Sequence, residues 1–164
     1  TTLVREGGDA FHDKQTMTAD PFDARFVYAV WDRISSANTG PTWFARSVDG
    51  GASWEPARPI FDPGVNRQTL GNIIVVLPNG TLVNVYSQID AVNSGINAYL
   101  DLIRSTDNGQ TWGDAMIISG DGIGGDLGYP STVELGDGTL LTVWYEKMKE
   151  QPHAVLRQAT WKME

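Results

Sequence analysis

Cysteine is absent from this chain of 164 residues, and histidine occurs only twice. Without cysteine there are no disulfide bonds and no thiolate metal ligands. His12 and His153 lie far apart in the sequence, and neither belongs to an H-x-x-x-H pattern, so no zinc site is expected. No apolar run approaches the roughly 20 residues that a membrane-spanning helix needs. The sequence therefore predicts neither a metal site nor a membrane partner.

Basic residues are also scarce. Twelve Lys and Arg stand against 20 Asp and Glu, which gives a formal net charge of −8. Nucleic acid phosphates repel such a chain unless it has a basic patch, so nucleic acid is not an expected partner. An anionic sugar can still bind where cationic side chains converge. Eighteen glycines and eight prolines suit many tight turns, and 41% hydrophobic residues can build the core of a single domain over residues 1–164.

An eight-residue pattern, S-x-D-x-G-x-[ST]-W, occurs twice, at residues 47–54 and 105–112. We call these segments the two octets. Their chemistry is that of a hairpin turn, because the Asp accepts hydrogen bonds from backbone N–H groups and the Gly supplies a positive φ. The Trp is a large apolar anchor that fixes the turn to a core. The residues with predicted structural roles are Ser47, Asp49, Gly51 and Trp54 in the first octet and Ser105, Asp107, Gly109 and Trp112 in the second.

A longer repeat surrounds the octets. Asn-Gly at 79–80 and Asp-Gly at 137–138 each stand between apolar runs, which is a strong signal for a β-hairpin. Aligning Trp31, Tyr86 and Trp144 gives spacings of 55 and 58 residues, a length that suits one four-stranded propeller blade. No segment shows helical periodicity. The sequence thus predicts an all-β chain of about three four-stranded antiparallel propeller blades, at approximately 14–62, 71–119 and 129–161, with residues 1–8 as the missing outer strand of the last blade.

The octets resemble the Asp box, or BNR repeat, of the sialidase-like β-propellers. That resemblance implies a ring of six blades, whereas this chain has about three. A half ring leaves apolar sheet faces and strand edges uncovered. Three solutions stay open: a homodimer that closes a six-bladed ring, a fragment of a longer propeller, or a different β arrangement such as a sandwich.

The same resemblance implies where catalytic residues stand. In the family, a Tyr opens a late blade ahead of an Asp-Gly hairpin and a Tyr-Glu pair, and here Tyr129 precedes such a hairpin, with Tyr-Glu at 145–146. Tyr129 is thus the implied nucleophile, in place of the carboxylate that most glycosidases use. Asp32 is the implied acid/base. The plainer alternatives are an ordinary strand-edge aromatic for Tyr129 and a turn-capping or surface-paired carboxylate for Asp32.

A set of candidate substrate-binding residues completes the implied site. The family's Arg-Ile-Pro motif is absent, and Lys14 stands in its place as a cation for a substrate carboxylate. Lys binds a carboxylate as a point charge, without the two-pronged geometry of Arg. Arg33, Arg67 and Trp31 are the other candidates. The family's base Glu has no counterpart, since Glu134 is expected to face solvent on its hairpin.

Two functions therefore stay open. The first is an exo-α-sialidase-like retaining glycoside hydrolase that acts on a sialoside without a cofactor. The second is a non-catalytic glycan-binding or scaffolding propeller, in which Trp31, Trp43 and Tyr129 offer stacking surfaces. Residues 121–126, rich in Gly and Asp, are expected to form a flexible loop between blades rather than a Ca²⁺ site. The resemblance implies a secreted or periplasmic location.

Overall fold

The computed structural model describes residues 2–35, 39–92, 95–151 and 153–163. Within these ranges it has no helix, and hence none long and apolar enough to cross a membrane. The strands are β1 (Phe11–Ala19), β2 (Val27–Ile34), β3 (Thr39–Gly40), β4 (Thr42–Ser47), β5 (Arg58–Phe61), β6 (Arg67–Val76), β7 (Leu82–Val92), β8 (Gly95–Ser105), β9 (Met116–Glu134), β10 (Thr139–Met148) and β11 (Val155–Lys162).

The strands form two sheets. One has the order β1-β2-β4-β5, and the other has the order β11-β10-β9-β8-β7-β6-β3. Every pairing is antiparallel except that of the short β3 with β6. The long β9 pairs with β8 through its first part and with β10 through its second part. We therefore distinguish blade 1 (β1, β2, β4, β5), blade 2 (β6, β7, β8 and the first part of β9) and blade 3 (the rest of β9, β10, β11).

The prediction of a flexible loop at 121–126 is wrong, because these residues lie within β9. Gly122 allows two strands to approach closely: a Cβ at this position would lie 3.0 Å from the Cβ of Ala98. Asp121 is paired with Arg157 of β11 at 2.6 Å. The glycines here serve close packing as well as turning, and one continuous strand joins blades 2 and 3.

Two hydrophobic clusters hold the blades face to face. Between blades 1 and 2, the Trp112 ring of the second octet packs edge-on against the Phe44 ring, with the ring centres 5.5 Å apart. Each fully buried large apolar side chain contributes roughly 1.5–3 kcal/mol. The buried members are Tyr28, Val30, Phe44, Ile74, Val76 and Leu82 between blades 1 and 2, and Leu77, Val83, Val85, Leu100, Leu102, Leu140 and Trp144 between blades 2 and 3.

The N-terminal segment lies on blade 1. Leu3 and Val4 pack against a third cluster on the face of blade 1 turned away from blade 2. Within the described residues of one chain, β11 pairs only with β10. Residues 2–8 therefore do not supply a fourth strand to blade 3 of their own chain.

The outer face of blade 3 is uncovered in the single chain. Side chains on a strand alternate between the two faces of the sheet. Leu140 and Trp144 point into the cluster between blades 2 and 3, so the residues next to them on β10 point outward. Val133 and Leu156 are 52% and 77% exposed on that face. No strand among the described residues closes the stack of blades into a ring.

Candidate functional site

The first strand of each blade carries a β-bulge at an equivalent position. In β1, β6 and the second part of β9, two residues stand opposite a single residue of the neighbouring strand. The first residue of each pair has a positive φ, which is 53° at Lys14, 65° at Gly71 and 53° at Tyr129. A positive φ is uncommon outside glycine. Two of the residues implied for the site, Lys14 and Tyr129, thus occupy the same structural position in different blades.

The three strands that carry the bulges, which we call the inner strands, lie side by side. The Thr16 hydroxyl of β1 donates to the Asn72 carbonyl of β6 at 2.8 Å, and Thr18 repeats the contact one pleat further on, with Ile74. Gly71 is packed against the next bulge, because a Cβ there would lie 3.1 Å from the Tyr129 nitrogen. The three bulges therefore meet at one end of the blades.

Asp32 is buried beside these bulges. Its Oδ2 accepts a hydrogen bond from the Gly71 backbone N–H at 3.1 Å, and its Oδ1 accepts one from Asn72 Nδ2 at 2.5 Å. Burial raises the pKa of Asp32 to about 7, although these bonds and the charge of Lys14 act to lower it. A carboxyl group with a pKa near 7 can hold and release a proton at neutral pH, as an acid/base catalyst must.

Asn72 connects Asp32 to the interior of blade 2. Its side-chain oxygen accepts hydrogen bonds from Asn84 Nδ2 at 2.8 Å and from the Thr42 hydroxyl at 2.9 Å. Both partners are fully buried, as is Asn72. Because the amide oxygen is occupied in this way, the amide nitrogen must point at Asp32, and the carboxylate is held in one orientation.

Lys14 lies between a carboxylate and a phenol ring. Its Nζ donates to Asp13 Oδ2 at 2.9 Å and lies 5.4 Å from the centre of the Tyr129 ring. The hydrogen bond with Asp13 is the main cause of a raised pKa for Lys14, and the nearby Tyr129 and Asp32 also raise it. The amine therefore stays charged at neutral pH. Tyr129 is 58% exposed, whereas the Lys14 side chain is 23% exposed, so the phenol is open to solvent and the amine is partly covered.

A second tyrosine extends this surface. The Tyr145 ring stacks on Tyr129 with the ring centres 5.9 Å apart. Burial raises the pKa of Tyr145, and the neighbouring Asp126, which also accepts its hydrogen bond, raises it further. Asp126 in turn lies 3.5 Å from Lys147 Nζ. We call Lys14, Asp32, Asn72, Tyr129 and Tyr145, with Asp126, the central cluster.

Arg67 lies at the start of β6, away from the bulge. Its Nε is 3.2 Å from Asp90 Oδ2 on β7, and its side chain is half exposed. It lines a cavity of about 390 Å³ between blades 1 and 2. Arg67 is thus a neighbour of the central cluster along β6 and has its own carboxylate partner.

Trp31 and Arg33 lie on the other face of β2, because consecutive strand side chains point to opposite faces. Trp31 is buried, and its Nε1 donates to His12 Nδ1 at 2.7 Å. Arg33 donates to the Glu6 carboxylate, with its Nη2 2.5 Å from Oε1. Neither side chain reaches the face that holds Asp32, so the structure brings Tyr129, Lys14 and Asp32 together and leaves these two candidates elsewhere.

The two octets form turns at the far end of the strands. In the first, Asp49 accepts hydrogen bonds from the Ser53 N–H at 2.8 Å and from the Ser47 hydroxyl at 2.7 Å. The Ser53 hydroxyl also donates to Asp49, at 2.5 Å, and this bond is the largest of the three that lower the pKa of Asp49 to about 2. The second octet repeats the same bonds. Because Ser47 pairs with Val27 at the opposite end of β2 from Asp32, the octets take no part in the central cluster.

Blade 1 also holds the turn of the second octet. Arg46 Nη1 donates to the Asn108 carbonyl at 2.8 Å, and Arg58 donates to the carbonyls of Gly109 and Gln110. The repeated Arg before each octet therefore has a packing role, at least at the first site. Among the described residues, no three His, Asp or Glu side chains are placed to hold a metal ion.

Sequence reasoning missed three members of the central cluster: Asn72, Tyr145 and Asp126. Asn72 carries no local signal, because its role depends on partners far away in the sequence. Tyr145 belongs to the Tyr-Glu pair at 145–146. The alternation of side chains along β10 would have shown that it shares a face of the sheet with the start of blade 3, where Tyr129 lies. Asp126 could be found only by recognising that 121–126 is strand.

An all-β stack of antiparallel blades, with a cluster of polar side chains where the first strands of the blades meet, defines a propeller-type fold. No family model and no curated protein matches the sequence. Many solved structures share the fold, and three of them are named here. They are a protein of unknown function from Dyadobacter fermentans DSM 18053 (TM-score 0.69, 20% identity, 98% of this chain and 41% of that one), the Hadza microbial sialidase Hz136 (0.65, 17%, 90% and 35%) and the endo-arabinase of Bacteroides thetaiotaomicron VPI-5482 (0.60, 14%, 91% and 56%).

These similarities fix the fold and leave the chemistry to the residues of this chain. The chain spans between about a third and a little over half of the length of each similar structure. Identities of 20% or less do not carry a substrate or a mechanism across.

Proposed function

We propose that this chain is a sialidase-like glycoside hydrolase whose glycan site is the central cluster. The observation that carries the proposal is the buried Asp32, whose raised pKa of about 7 suits proton transfer, beside an exposed phenol and a lysine cation. The fold shared with a sialidase and an endo-arabinase supports a glycosidase class. The substrate class is a sugar that carries a carboxylate, which would bind Lys14 by taking the place of Asp13 in the ion pair that the two residues form at 2.9 Å.

Each residue has a defined part in a retaining mechanism. The Tyr129 oxygen attacks the anomeric carbon while the leaving oxygen takes the proton of Asp32, so a phenolic glycoside forms and the aglycone departs. Water then attacks the same carbon, Asp32 accepts a proton from that water, and Tyr129 leaves as a phenolate that takes back the proton held by its base since the first step. Lys14 binds the substrate carboxylate and lies close enough to stabilise a Tyr129 phenolate.

Tyr129 needs a base, since a neutral phenol is a weak nucleophile. Asp126 is a candidate, because it accepts a hydrogen bond from Tyr145, and Tyr145 stacks on Tyr129. We therefore propose that Asp126 takes the Tyr129 proton directly in the first step and returns it to the Tyr129 phenolate in the second.

A second candidate function is a non-catalytic glycan-binding domain. It is favoured by one observation: both carboxylate oxygens of Asp32 already accept hydrogen bonds, and the group is fully buried. For Asp32 to reach a substrate, the side chains that cover it must move when the glycan binds. In a binding domain they need not move, and Lys14, Tyr129 and Tyr145 alone would contact the sugar.

Hydrolysis of a fluorogenic aryl sialoside tests the proposal. We expect Tyr129→Phe and Asp32→Ala each to lower kcat by about 10²–10⁴, the usual contribution of a nucleophile or a general acid. Tyr99→Phe on β8, outside the central cluster, is the matched control. Turnover that survives both site variants contradicts the assignment. Absence of turnover, with sialic acid binding that is lost in Lys14→Ala, supports the binding domain instead.

A further inference from the structure

A built cavity adjoins the central cluster. It has a volume of about 390 Å³ and lies between blades 1 and 2 at the end of the strands opposite the octets. A smaller cavity of about 160 Å³ adjoins it and shares Arg67, with Asp90 in its wall. The larger volume falls within the usual range of small-ligand sites. Its apolar lining is Ile34, Ile89 and Ala91, and its polar lining includes Thr39, Arg67 and Gln68.

Strand pairing fixes the walls of this cavity. The short β3 pairs in parallel with β6, which places Thr39 beside Arg67, and β6 pairs with β7, which places Arg67 opposite Asp90. A Cβ on Gly40 would collide with the Gln68 Cβ, so glycine is required for β3 to approach β6. The lining residues named above lie in strands, and the walls are therefore preformed.

The charges at the mouth favour a neutral ligand. Arg67 is paired with Asp90 at 3.2 Å, and Asp90 also accepts a hydrogen bond from Gln88 at 2.8 Å. This pairing neutralises the guanidinium, and the net charge of the chain is −8, so an anion gains little here. Arg67 also donates to the Pro63 carbonyl at 3.5 Å. A guanidinium beside a carboxylate offers both donors and acceptors, which suits a hydroxyl group. Ile34 and Ile89 offer an apolar wall to the C–H face of a sugar ring.

The cavity also lies close to the central cluster, on the same face of β2. Ile34 follows Asp32 by two residues on the same face of β2, a separation of about 7 Å. We infer that this cavity is a subsite for a neutral sugar unit, with Arg67, Asp90 and Gln68 as its polar contacts. Its place as the neighbour of the unit bound at Lys14 and Tyr129 rests on the proposed function; the binding of a neutral sugar does not.

Ligand-observed NMR titration with lactose tests the subsite directly. We expect millimolar binding by the wild-type chain and at least tenfold weaker binding by Arg67→Ala. Arg25→Ala is the matched control, because Arg25 is an exposed arginine paired with Asp23 near the octets. Arg67→Lys keeps the charge and loses the planar donors, so it should also weaken binding. Thermal unfolding checks that each variant is folded.

The outcomes decide the inference without reference to catalysis. Lactose binding that is absent from the wild type, or unchanged in Arg67→Ala, overturns it. Free sialic acid binding that depends on Arg67 while lactose binding does not also overturns it, since the subsite would then be anionic. If Arg67→Ala does not fold, Gln68→Ala takes its place with the same expected loss.

Kinetics then tests the link to the central cluster. If the chain cleaves sialosides, the ratio of KM for sialyl-lactose to KM for the aryl sialoside should rise about tenfold in Arg67→Ala. An unchanged ratio contradicts the adjacency of the two sites. If neither substrate is cleaved, the proposed function fails, and the lactose titration still decides whether the cavity binds a neutral sugar.

Discussion

Asp32 should make the stability of this protein fall as the pH rises toward neutrality. Burial raises its pKa in the folded chain from 3.8 to about 7. Below about pH 3 both the folded and the unfolded chain hold the proton, and folding carries no ionisation cost. Between pH 4 and 7 the unfolded chain ionises first, so the folded state loses relative stability. Above pH 7 the loss is complete.

The size of this loss follows from the shift. About three pKa units, at 1.36 kcal/mol per unit, correspond to about 4 kcal/mol. Asp101, a buried aspartate on β8, has a pKa that burial and the nearby Asp90 raise to about 7, so it adds a loss of the same order over the same pH range. Aspartates with a pKa near 2, such as Asp49, act only at lower pH. The free energy of unfolding should therefore fall by several kcal/mol between pH 4.5 and 8.

Urea unfolding followed by tryptophan fluorescence at several pH values measures this dependence. Asp32→Asn removes the ionisation and should remove about half of the fall. The substitution also replaces one acceptor by a donor facing Gly71 or Asn72, which costs about 1–3 kcal/mol at every pH and so does not change the slope. Asp114→Asn, at an exposed position after the second octet, is the control and should leave the slope unchanged. An Asp32→Asn slope equal to that of the wild type would refute the raised pKa, and with it the acid/base assignment.

Two further predictions concern the backbone and the assembly. Gly71→Ala should destabilise the chain at least twice as much as Gly80→Ala in urea unfolding, because both have positive φ but only Gly71 has a neighbour, the Tyr129 nitrogen, within 3.1 Å of its Cβ position; equal losses would contradict the close approach. The uncovered face of blade 3, with Val133 and Leu156, leads us to propose a dimer that closes the ring, with a mass near twice 17.9 kDa by light scattering, and a well-behaved monomer would count against it.

Turns were predictable from the sequence because their causes are local. In each octet the Ser, the Asp and the Gly act on backbone atoms within four residues, so the pattern itself contains the chemistry. The Asn-Gly and Asp-Gly hairpins are equally local. The alternation of strand side chains is local too, and it separates Trp31 from Asp32. Grouping these two in one site ignored that rule.

The central cluster was harder to predict from the sequence, because it depends on contacts between strands and blades that are far apart in the chain. Asn72 donates a hydrogen bond to Asp32, which lies 40 residues away in the sequence. Arg67 contacts Asp90 only because β6 pairs with β7. The positive φ of Lys14 and Tyr129 could not be foreseen, since neither residue type favours it. A resemblance supplied the identity of these two positions, and the structure supplied the reason that they are equivalent.

Within a repeat, the residue that varies in chemistry lies at the bulge, and the residues that fix the turn lie in the octet. Lys14 precedes its octet by 33 residues and Gly71 precedes the next by 34, so the variable position is far from the motif by which such repeats are noticed. Its backbone shape is kept while its side chain changes from an amine to a hydrogen atom to a phenol. New specificity could therefore arise by exchange at these three positions alone, with glycine wherever the adjacent bulge presses too close for a side chain.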